Sequence, residues 1–561
     1  MSWQTHEIVN QFDELTDYNV FSTDAALAEG VQRAGAGWFA TALTRYGARI
    51  GSAQSYRMAD EANRYVPELK AFDRRGRRID QVDYHPSWHA LLAGFREAGF
   101  VSLAFADGRP GRWAAAAAGF YLHAQVEAGT MCPASMTQGC IPLLQKEPAL
   151  WSLLRDRLYA NGYDARDLPL AQKTSVWIGM GMTEKQGGSD VRSNTTTATP
   201  LAAAGRGAEY RLRGHKWFFS APMCDAHLVV ARSQAGFSCF YVPRWCPDGT
   251  RNSVQIQRLK SKLGNRSNAS SEVEFLDAWG LLMGEEGHGI RTIIEMASYT
   301  RLSCVIASAA IVRQCLVQAL AYARQRQAFG RRLAEQPLMR AVLADLAIES
   351  EAGTVLMLRL AQAFENAAAP EQRAWTRIMT PAAKFWVCKR ALELSGEALE
   401  VFGGNGYVDD SPMARLYREA PVNSIWEGSG NVMCLDVMRA LGREPDAARM
   451  LLDELGRLGG DEARIHAELQ ALRRDLDLPP DALEALGRSF VQRLVLVAQA
   501  CLLRASAPAA VAEGFLATRL RGPWGQVVGA IDTRQLAVDA LLQRSYAPAV
   551  PNAIGAAAVV T

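Results

Sequence analysis

Residues 208–242 read AEYRLRGHKWFFSAPMCDAHLVVARSQAGFSCFYV, and this stretch decides the fold class of the chain. Three segments rich in β-branched and aromatic residues, AEYRLRGHKWFF, AHLVVAR and GFSCFYV, are separated by the turn-forming clusters APMCD and SQA. Two more such segments, SVQIQRL and SEVEFL, continue the pattern to residue 276. Several short strands at this spacing predict a small β-barrel or sandwich. We assign it to residues 178–282.

Helical patterns lie on both sides of these strands. Before residue 178 the chain contains alanine-rich stretches such as RWAAAAAGFYLHAQVEAG (112–129), which follows the turn signal ADGRPG (106–111). After EEGHG (285–289), apolar residues recur at helical spacing at Val305, Val312, Leu316 and Leu320. The chain is therefore helical, then β, then helical.

The C-terminal half contains further helices. Gly330 is predicted to end the first of them as its C′ residue, a second begins at Pro337, and a third contains KFWVCKRALELSGEALEVF (384–402). REPDA (443–447) is predicted to be a linker to a last helical region that Pro479 and Pro480 interrupt. The result is an α+β architecture with an N-terminal helical domain (1–177), a β-domain (178–282), a C-terminal helical bundle (283–440) and an extra helical domain (441–561).

Length and composition narrow the function classes. The 561 residues favour three or four domains, and 61 basic against 58 acidic residues leave a net charge of +3. That balance is too small to indicate a polyanion-binding protein by bulk charge. Ten dispersed cysteines without a C-x-x-C pair are typical of reduced, mostly buried thiols.

Neither a metal site nor a membrane or export signal is expected. His85 and His89 stand at i, i+4 spacing, but no third ligand completes a metal site. The N-terminus MSWQTHEIVNQFDELTDYNV lacks the pattern of a signal peptide, and apolar runs such as 304–312 are shorter than a membrane span. We expect a soluble cytoplasmic protein.

Two glycine- or aromatic-rich segments could hold a ligand. MTEKQGGSD (182–190) offers hydroxyls, backbone N–H groups and glycines that permit close approach, although composition alone favours a glycine-rich turn at a domain boundary. In GHKWFFS (214–220), strand alternation places Trp217 and Phe219 on one face and Phe218 and Ser220 on the other. That segment is either core or one wall of a site for a flat cofactor. No G-x-G-x-x-G or P-loop motif occurs.

A third segment, NSIWEGSGNVM (423–433), embeds Glu427 between Trp426 and a Gly-Ser-Gly turn. A carboxyl group in apolar surroundings has a raised pKa, which suits a general base that works near neutral pH. The alternative is a surface glutamate that caps the next helix.

Taken in order, these segments resemble the acyl-CoA dehydrogenase flavoprotein family over roughly residues 60–440. The resemblance implies bound FAD, Glu427 as the base that removes an α proton, and Arg301 close to that base. It implies FAD contacts from Met182, Thr183, Lys185, Gln186, Gly188, Ser189, Phe218, Ser220, Trp426, Ser429 and Asn431. Arg326, Phe329 and Gly330 match a motif that in this family reaches a neighbouring subunit's FAD, which implies a homotetramer. The family's G-G-x-G element is matched by Gly403, Gly404 and Gly406, of which Gly403 and Gly404 are further expected FAD contacts.

Three positions depart from the family pattern. Glu400 stands where relatives often carry glutamine, Thr300 stands where an acid usually precedes the arginine, and Trp426 replaces a common tyrosine. These departures predict weak turnover of ordinary acyl-CoA thioesters. The alternative is a metabolic short-chain or branched-chain acyl-CoA dehydrogenase whose C-terminal extension serves assembly.

A closer resemblance within the family, over nearly the whole chain, is to a flavoprotein of the bacterial response to DNA alkylation. It implies sequence-independent binding of double-stranded DNA, protection or repair of alkylated DNA, and an acyl-CoA or alkylated substrate. Residues 441–561 contain 13 arginines and 14 acidic residues in total, but the part after residue 485 contains seven arginines and only three acidic residues. Arginine suits phosphate, and a solvated helical face is the alternative. The candidate DNA contacts are Arg488, Arg493, Arg504, Arg519 and Arg521.

Overall fold

The N-terminal part of the chain is built from eight helices and one β-hairpin. The computed structural model describes residues 5–520 and 527–547. The helices are α1 (Ala25–Arg33), α2 (Ala40–Ile50), α3 (Ala53–Arg64), α4 (Pro86–Glu97), α5 (Phe100–Ala106), α6 (Arg112–Ala124), α7 (Met131–Leu144) and α8 (Pro148–Tyr159). The sequence prediction missed the hairpin, β1 (Glu68–Phe72) and β2 (Arg78–Asp83), because its strands are short and only half-buried.

The middle of the chain forms a closed barrel, which confirms the predicted β-fold. Its strands are β3 (Ile178–Gly181), β4 (Thr197–Pro200), β5 (Glu209–Ser220), β6 (Ala226–Ser233), β7 (Gly236–Pro243), β8 (Val254–Leu259) and β9 (Ser270–Met283). Pairing runs from β6 through β7, β9, β5 and β4 back to β6, while β3 adds to β6 and β8 adds to β9. Closure leaves the five ring strands without a free edge.

Strand β5 is irregular at the end that carries the aromatic segment. Its register with β9 shifts between Lys216 and Phe219, so two buried side chains lie three residues apart. Lys260 Nζ lies 3.5 Å from the Trp217 ring centroid and 4.6 Å from that of Phe218. The predicted strict alternation was therefore wrong, because a β-bulge lets Trp217 and Phe218 share one neighbour while Phe219 enters the core.

The second helical region is built around one central helix. Its elements are α9 (Gly289–Ala323), β10 (Gln327–Ala328), β11 (Arg331–Arg332), α10 (Pro337–Glu365), α11 (Pro370–Ala374), a π-turn (Trp375–Met379), α12 (Thr380–Val401), α13 (Gly404–Tyr407), α14 (Pro412–Ile425) and α15 (Gly430–Arg443). By length and composition α9 could cross a membrane, but 94% of its most apolar stretch is buried inside the protein. It is the core helix of this region.

Gly330 does not end α9 as predicted. The helix stops at Ala323, and Gly330 lies instead in the turn between β10 and β11, with a φ of 76°. Phe329 precedes it with a φ of 52°, so both turn residues are left-handed. This pair of positive φ angles is the geometry that a tight hairpin turn requires.

The last helices continue the bundle without a linker. They are α16 (Pro445–Gly459), α17 (Ala463–Leu476), α18 (Pro480–Ala485), α19 (Gly487–Ser506), α20 (Ala509–Arg519) and α21 (Val538–Ser545). Only Glu444 separates α15 from α16, so the predicted linker at REPDA was wrong. Glu454 on α16 accepts hydrogen bonds from Arg359 and from Trp375 Nε1, each 2.9 Å long, and α19 packs on α10, α12 and α15. Pro479 and Pro480 do break the helical pattern as predicted.

Candidate active site

Glu427 lies in the turn that joins α14 to α15. Its φ is 59°, a left-handed conformation that is uncommon for a residue with a side chain. Two buried cations hold this turn: Arg301 Nε on α9 donates to the Glu427 carbonyl at 3.1 Å, and Lys384 Nζ on α12 donates to the Gly428 carbonyl at 2.7 Å. The strained backbone is thus fixed by groups on two core helices, as at many functional sites.

The Glu427 carboxylate is held by one neutral group. Thr300 Oγ1 donates a hydrogen bond of 2.7 Å to Glu427 Oε2. Burial raises the pKa of Glu427, and the Thr300 hydrogen bond and the charges of Arg301 and Lys384 only partly oppose that rise. Glu427 therefore has the raised pKa that the sequence analysis predicted.

Arg301 lies next to this carboxylate, but its charge is shared with another acid. Arg301 Nη1 donates to Asp436 Oδ2 at 2.7 Å, and Arg377 Nη1 donates to the other oxygen of Asp436 at 3.1 Å. Asp436, which the sequence analysis did not single out, is thereby the hub that orients Arg301. Because Asp436 partly neutralises the charge of Arg301, the Glu427 carboxyl group can keep a raised pKa although it lies beside an arginine.

The MTEKQGGSD segment follows β3 and packs on β5. The carbonyl of Thr183 accepts from Trp217 N at 2.9 Å, and the carbonyl of Met182 accepts from Asn194 Nδ2 at 2.8 Å. Met182 and Thr183 are half-buried, whereas Lys185, Gln186, Gly188 and Ser189 are exposed. The segment therefore presents its glycine-serine end at the surface while its start is fixed to the barrel.

A buried ion pair that the sequence analysis missed joins this segment to β5. Lys216 Nζ lies 2.8 Å from Glu184 Oε1, and both side chains are 0% exposed. Glu184 also accepts from the backbone N–H groups of Thr195 at 2.7 Å and Thr196 at 3.1 Å. Burial opposes ionisation of Glu184, but the charge of Lys216 and these hydrogen bonds outweigh it and lower the pKa to about 2.

Cys132 on α7 lies near both the barrel wall and Glu427. Burial raises the pKa of the Cys132 thiol to about 11; Lys262 and a hydrogen bond with Ser220 oppose this rise, and the Glu427 carboxylate adds to it. Ser220 of the barrel and the candidate base Glu427 are therefore both neighbours of this thiol. On the same strand as Ser220, the Phe218 ring is 53% exposed.

The sequence comparisons identify this arrangement. Residues 10–165 match the adaptive response protein AidB N-terminal domain, residues 179–278 the acyl-CoA dehydrogenase middle domain and residues 287–442 the acyl-CoA dehydrogenase C-terminal domain. The chain is 47% identical over 499 residues to AidB of Escherichia coli (strain K12), assigned to the acyl-CoA dehydrogenases, a match that covers 89% of this chain and 91% of that protein. The chain belongs to the acyl-CoA dehydrogenase family.

Solved structures agree with this membership at the level of the fold. ACDH-11 of Caenorhabditis elegans, in complex with C11-CoA, superposes with a TM-score of 0.83 at 24% identity, and the match covers 96% of each chain. The apo form of Bd2924 superposes with a TM-score of 0.80 at 28% identity, covering 88% of this chain and 99% of that one. The predicted acyl-CoA dehydrogenase-like fold is confirmed.

FAD is the cofactor of this family, and the residues of the barrel wall fit it. The half-exposed Phe218 ring and the half-buried Ser220 hydroxyl form a wall that a flat flavin ring would cover. The exposed backbone of Gly188 and Ser189 has room for a phosphate group, because a Cβ at Gly188 would meet only Thr183 within 4 Å.

Two acyl-CoA dehydrogenase motifs lie at the other end of the bundle from Glu427. The Phe402 ring stacks on Tyr322 with centroids 4.3 Å apart, which places Gly403 and Gly404 at the C-terminal end of α9. Arg326 and Phe329 follow directly after that end. Thr300, beside the base, lies 22 residues before Tyr322 on the same helix, which corresponds to about 33 Å at 1.5 Å per residue. The structure therefore does not bring these motifs to the same chain's Glu427.

The late arginines do not form one open surface. Arg519 is 0% exposed at its side chain and pairs with Asp345 and Glu349, so its predicted DNA contact is wrong. Arg493 pairs with Glu468 and Asp475, and Arg504 pairs with Asp461, so their charges are largely neutralised. Arg488 is exposed and donates to Asn431 Oδ1 at 2.7 Å. Arg521 lies outside the described residues.

The histidine pair has structural partners. His85 is the N-cap of α4, where its Nδ1 accepts from Ser87 N, and His89 Nδ1 lies 2.5 Å from the Tyr163 hydroxyl. All ten cysteines are free thiols, and nine of them are buried, which confirms the prediction from their spacing.

Proposed function

We propose that this chain is an FAD-dependent oxidoreductase of the acyl-CoA dehydrogenase type in which Glu427 removes the α proton of an acyl thioester. The observation that carries the proposal is Glu427 itself: a carboxyl group with a raised pKa, oriented by Thr300 at a strained turn that Arg301 and Lys384 fix. A base of this kind works near neutral pH. FAD bound there would supply the acceptor for the hydride that leaves the β carbon.

The remaining residues hold the base and the cofactor rather than react. Arg301 and Lys384 fix the turn through its carbonyl groups, and Thr300 orients the carboxylate. Phe218 and Ser220 form the wall for the flavin ring, with Met182, Thr183, Gly188 and Ser189 next to it. Trp426 places its indole beside the base, with Nε1 donating to Asn423 Oδ1 at 3.1 Å. The bulk of this indole next to the base is consistent with the expected weak turnover of ordinary acyl-CoA thioesters.

The test is flavin bleaching under anaerobic conditions with a panel of acyl-CoA thioesters from short to long and branched. The wild type should bleach with at least one of them, and Glu427→Gln, which keeps the size but removes the base, should not. A protein that binds FAD but bleaches with none of the panel would contradict dehydrogenase activity. A protein purified without flavin would contradict the cofactor as well.

We further propose that the protein binds double-stranded DNA, largely independently of sequence, and protects it from alkylation. The support is the likeness to AidB over 89% of the chain, including the match to the AidB N-terminal domain. In that domain the turn of the β1–β2 hairpin carries RRGRR (74–78). Arg74 and Arg75 are exposed there and form no ion pair within the described part of the chain.

The DNA proposal is tested by salt-titrated binding to a duplex. Arg74→Ala/Arg75→Ala should weaken binding and reduce the salt dependence, because each phosphate contact releases counterions. Arg519→Ala is the control: it removes a buried arginine and should leave duplex binding unchanged. Binding that is insensitive to salt, or absent in the wild type, would favour the alternative of a metabolic dehydrogenase with a structural extension.

The family motifs at the far end of α9 support a homotetramer in which Arg326, Phe329, Gly403 and Gly404 reach the FAD of a neighbouring subunit. We also propose a cytoplasmic location, where the protein would have access to DNA.

Light scattering of the purified holoprotein tests the homotetramer directly, because it measures the oligomeric mass.

A further inference from the structure

A cleft of about 690 Å³ opens between the C-terminal extension and the helical bundle on which the extension packs. It lies between α12 and α19, and its lining includes Phe385, Lys389 and Arg488. Arg488, in the first turn of α19, donates from Nη1 to Asn431 Oδ1 at 2.7 Å. Asn431 belongs to the segment that, by family resemblance, holds FAD. The extension therefore touches a candidate cofactor residue directly.

The cleft contains positive charge that nothing in the described chain neutralises. Lys389 and Arg488 form no ion pair with a carboxylate among residues 5–520 and 527–547, whereas the two acids of the lining, Glu393 and Glu468, pair with Arg390 and Arg493. Two cations without a counter-charge repel each other at close range. This arrangement suits an anionic ligand.

The two cations also share one aromatic ring. The Phe385 ring centroid lies 5.1 Å from the Arg488 guanidinium carbon and 6.0 Å from Lys389 Nζ. The Lys389 side chain passes directly over Gly430, where a Cβ would meet Lys389 Cε at 2.8 Å. Glycine at position 430 thus leaves room for Lys389 beside the start of α15, a helix end that itself carries partial positive charge.

We propose that Arg488 and Lys389 bind the diphosphate of the flavin nucleotide, so that the C-terminal extension forms part of the cofactor site. This inference rests on the proposed function, because it requires bound FAD at Asn431. A guanidinium and an ammonium group match the two phosphates of a dinucleotide in charge, and the cleft has the volume of an ordinary ligand site. Arg488 additionally positions Asn431.

The experiment follows the release of FAD from the holoprotein after dilution, measured by the recovery of flavin fluorescence. Arg488→Ala and Lys389→Ala should each release FAD about tenfold faster, the loss typical of one charged hydrogen bond. Arg488→Lys, which keeps the charge, should fall between wild type and Arg488→Ala. Arg474→Ala on α17 is the control, since Arg474 is exposed and forms no ion pair within the described residues.

Salt separates an electrostatic role from a packing role. Wild-type release should accelerate with salt, and the acceleration should be smaller in Arg488→Ala because one screened contact is gone. Unchanged release in both alanine variants would overturn the inference, as would faster release with an unchanged salt dependence. Weaker duplex binding with unchanged FAD release would assign the cleft to DNA instead. A wild type without flavin would overturn the proposed function, whereas a flavin-bound wild type that matches Arg488→Ala would overturn this inference alone.

Discussion

Thr300 Oγ1 donates a 2.7 Å hydrogen bond to Glu427 Oε2, so the candidate base is held by a neutral hydroxyl of the central helix α9. By the family resemblance, an acid usually stands at this position. A second carboxylate here would raise the pKa of Glu427 by like-charge repulsion, whereas the hydroxyl stabilises the ionised form. Burial supplies the net rise instead.

The first prediction concerns this hydrogen bond. Thr300→Val removes the donor at nearly constant volume, so the ionised form of Glu427 loses a stabilising contact and its pKa should rise further. Because the base must be ionised to accept a proton, the pH midpoint of flavin bleaching should move to higher pH and the rate at pH 7 should fall. Thr300→Ser keeps the hydroxyl and should retain the wild-type midpoint. An unchanged midpoint in Thr300→Val would show that the hydroxyl does not act on the base.

The second prediction concerns the buried pair of Lys216 and Glu184. Lys216→Met leaves Glu184 as an uncompensated buried charge, which typically costs about 3–5 kcal/mol of unfolding free energy. Glu184→Gln in the same background removes that charge and should recover part of the loss. Denaturant unfolding measures both variants. Equal stability of the single and double variants would contradict the charge argument.

The same pair predicts acid sensitivity. The pKa of Glu184 in the folded protein is about 2, below its ordinary value near 4.5. A lowered folded-state pKa means that the stabilisation is present above pH 4.5 and is lost as the pH falls toward 2. Unfolding free energy measured between pH 5 and pH 3 should decrease less steeply in Lys216→Met/Glu184→Gln than in the wild type.

The third prediction separates structural from surface arginines. Arg519→Ala leaves Asp345 and Glu349 buried without their partner, so the unfolding free energy should fall by about 3–5 kcal/mol. Arg504→Ala breaks a partly exposed pair with Asp461 and should cost at most about 1 kcal/mol. At temperatures where both variants are folded, Arg519→Ala should bind duplex DNA as the wild type does. A loss of DNA affinity in folded Arg519→Ala protein would instead support the predicted contact between Arg519 and DNA.

Local sequence patterns predicted much of this structure because the spacing of apolar residues and the turn-forming residues largely determine where helices and strands form. Strands β5 to β9 and the helices that begin at Gly289 and Pro337 lie where spacing and turn signals placed them, whereas the short strands β3 and β4 were not predicted. The raised pKa of Glu427 followed from its apolar neighbours in sequence. The family resemblance supplied the roles that no local pattern states.

The errors arose where distant residues decide the outcome. Arg519 contacts Glu349, 170 residues earlier in the chain, and no charge count reveals that contact. Lys216 and Glu184 are 32 residues apart, and their burial depends on how the loop after β3 folds onto β5. The β-bulge at Lys216–Phe219 comes from pairing with β9, so the alternation of β5 alone could not predict which ring faces outward.

The last prediction concerns Phe329, at the turn of the β10–β11 hairpin. Its side chain is 97% exposed and its backbone is left-handed, so the isolated chain gains no burial from the ring and carries the strain of the turn. Burial of the ring against another subunit would offset this strain, because burying a phenylalanine contributes about 1.5–3 kcal/mol. Phe329→Asp should therefore lower the oligomeric mass in light scattering and speed the release of FAD. Leu201→Asp, at an exposed leucine of the barrel loop, should change neither. A Phe329→Asp protein with wild-type mass and wild-type FAD release would place this hairpin outside the interface between subunits.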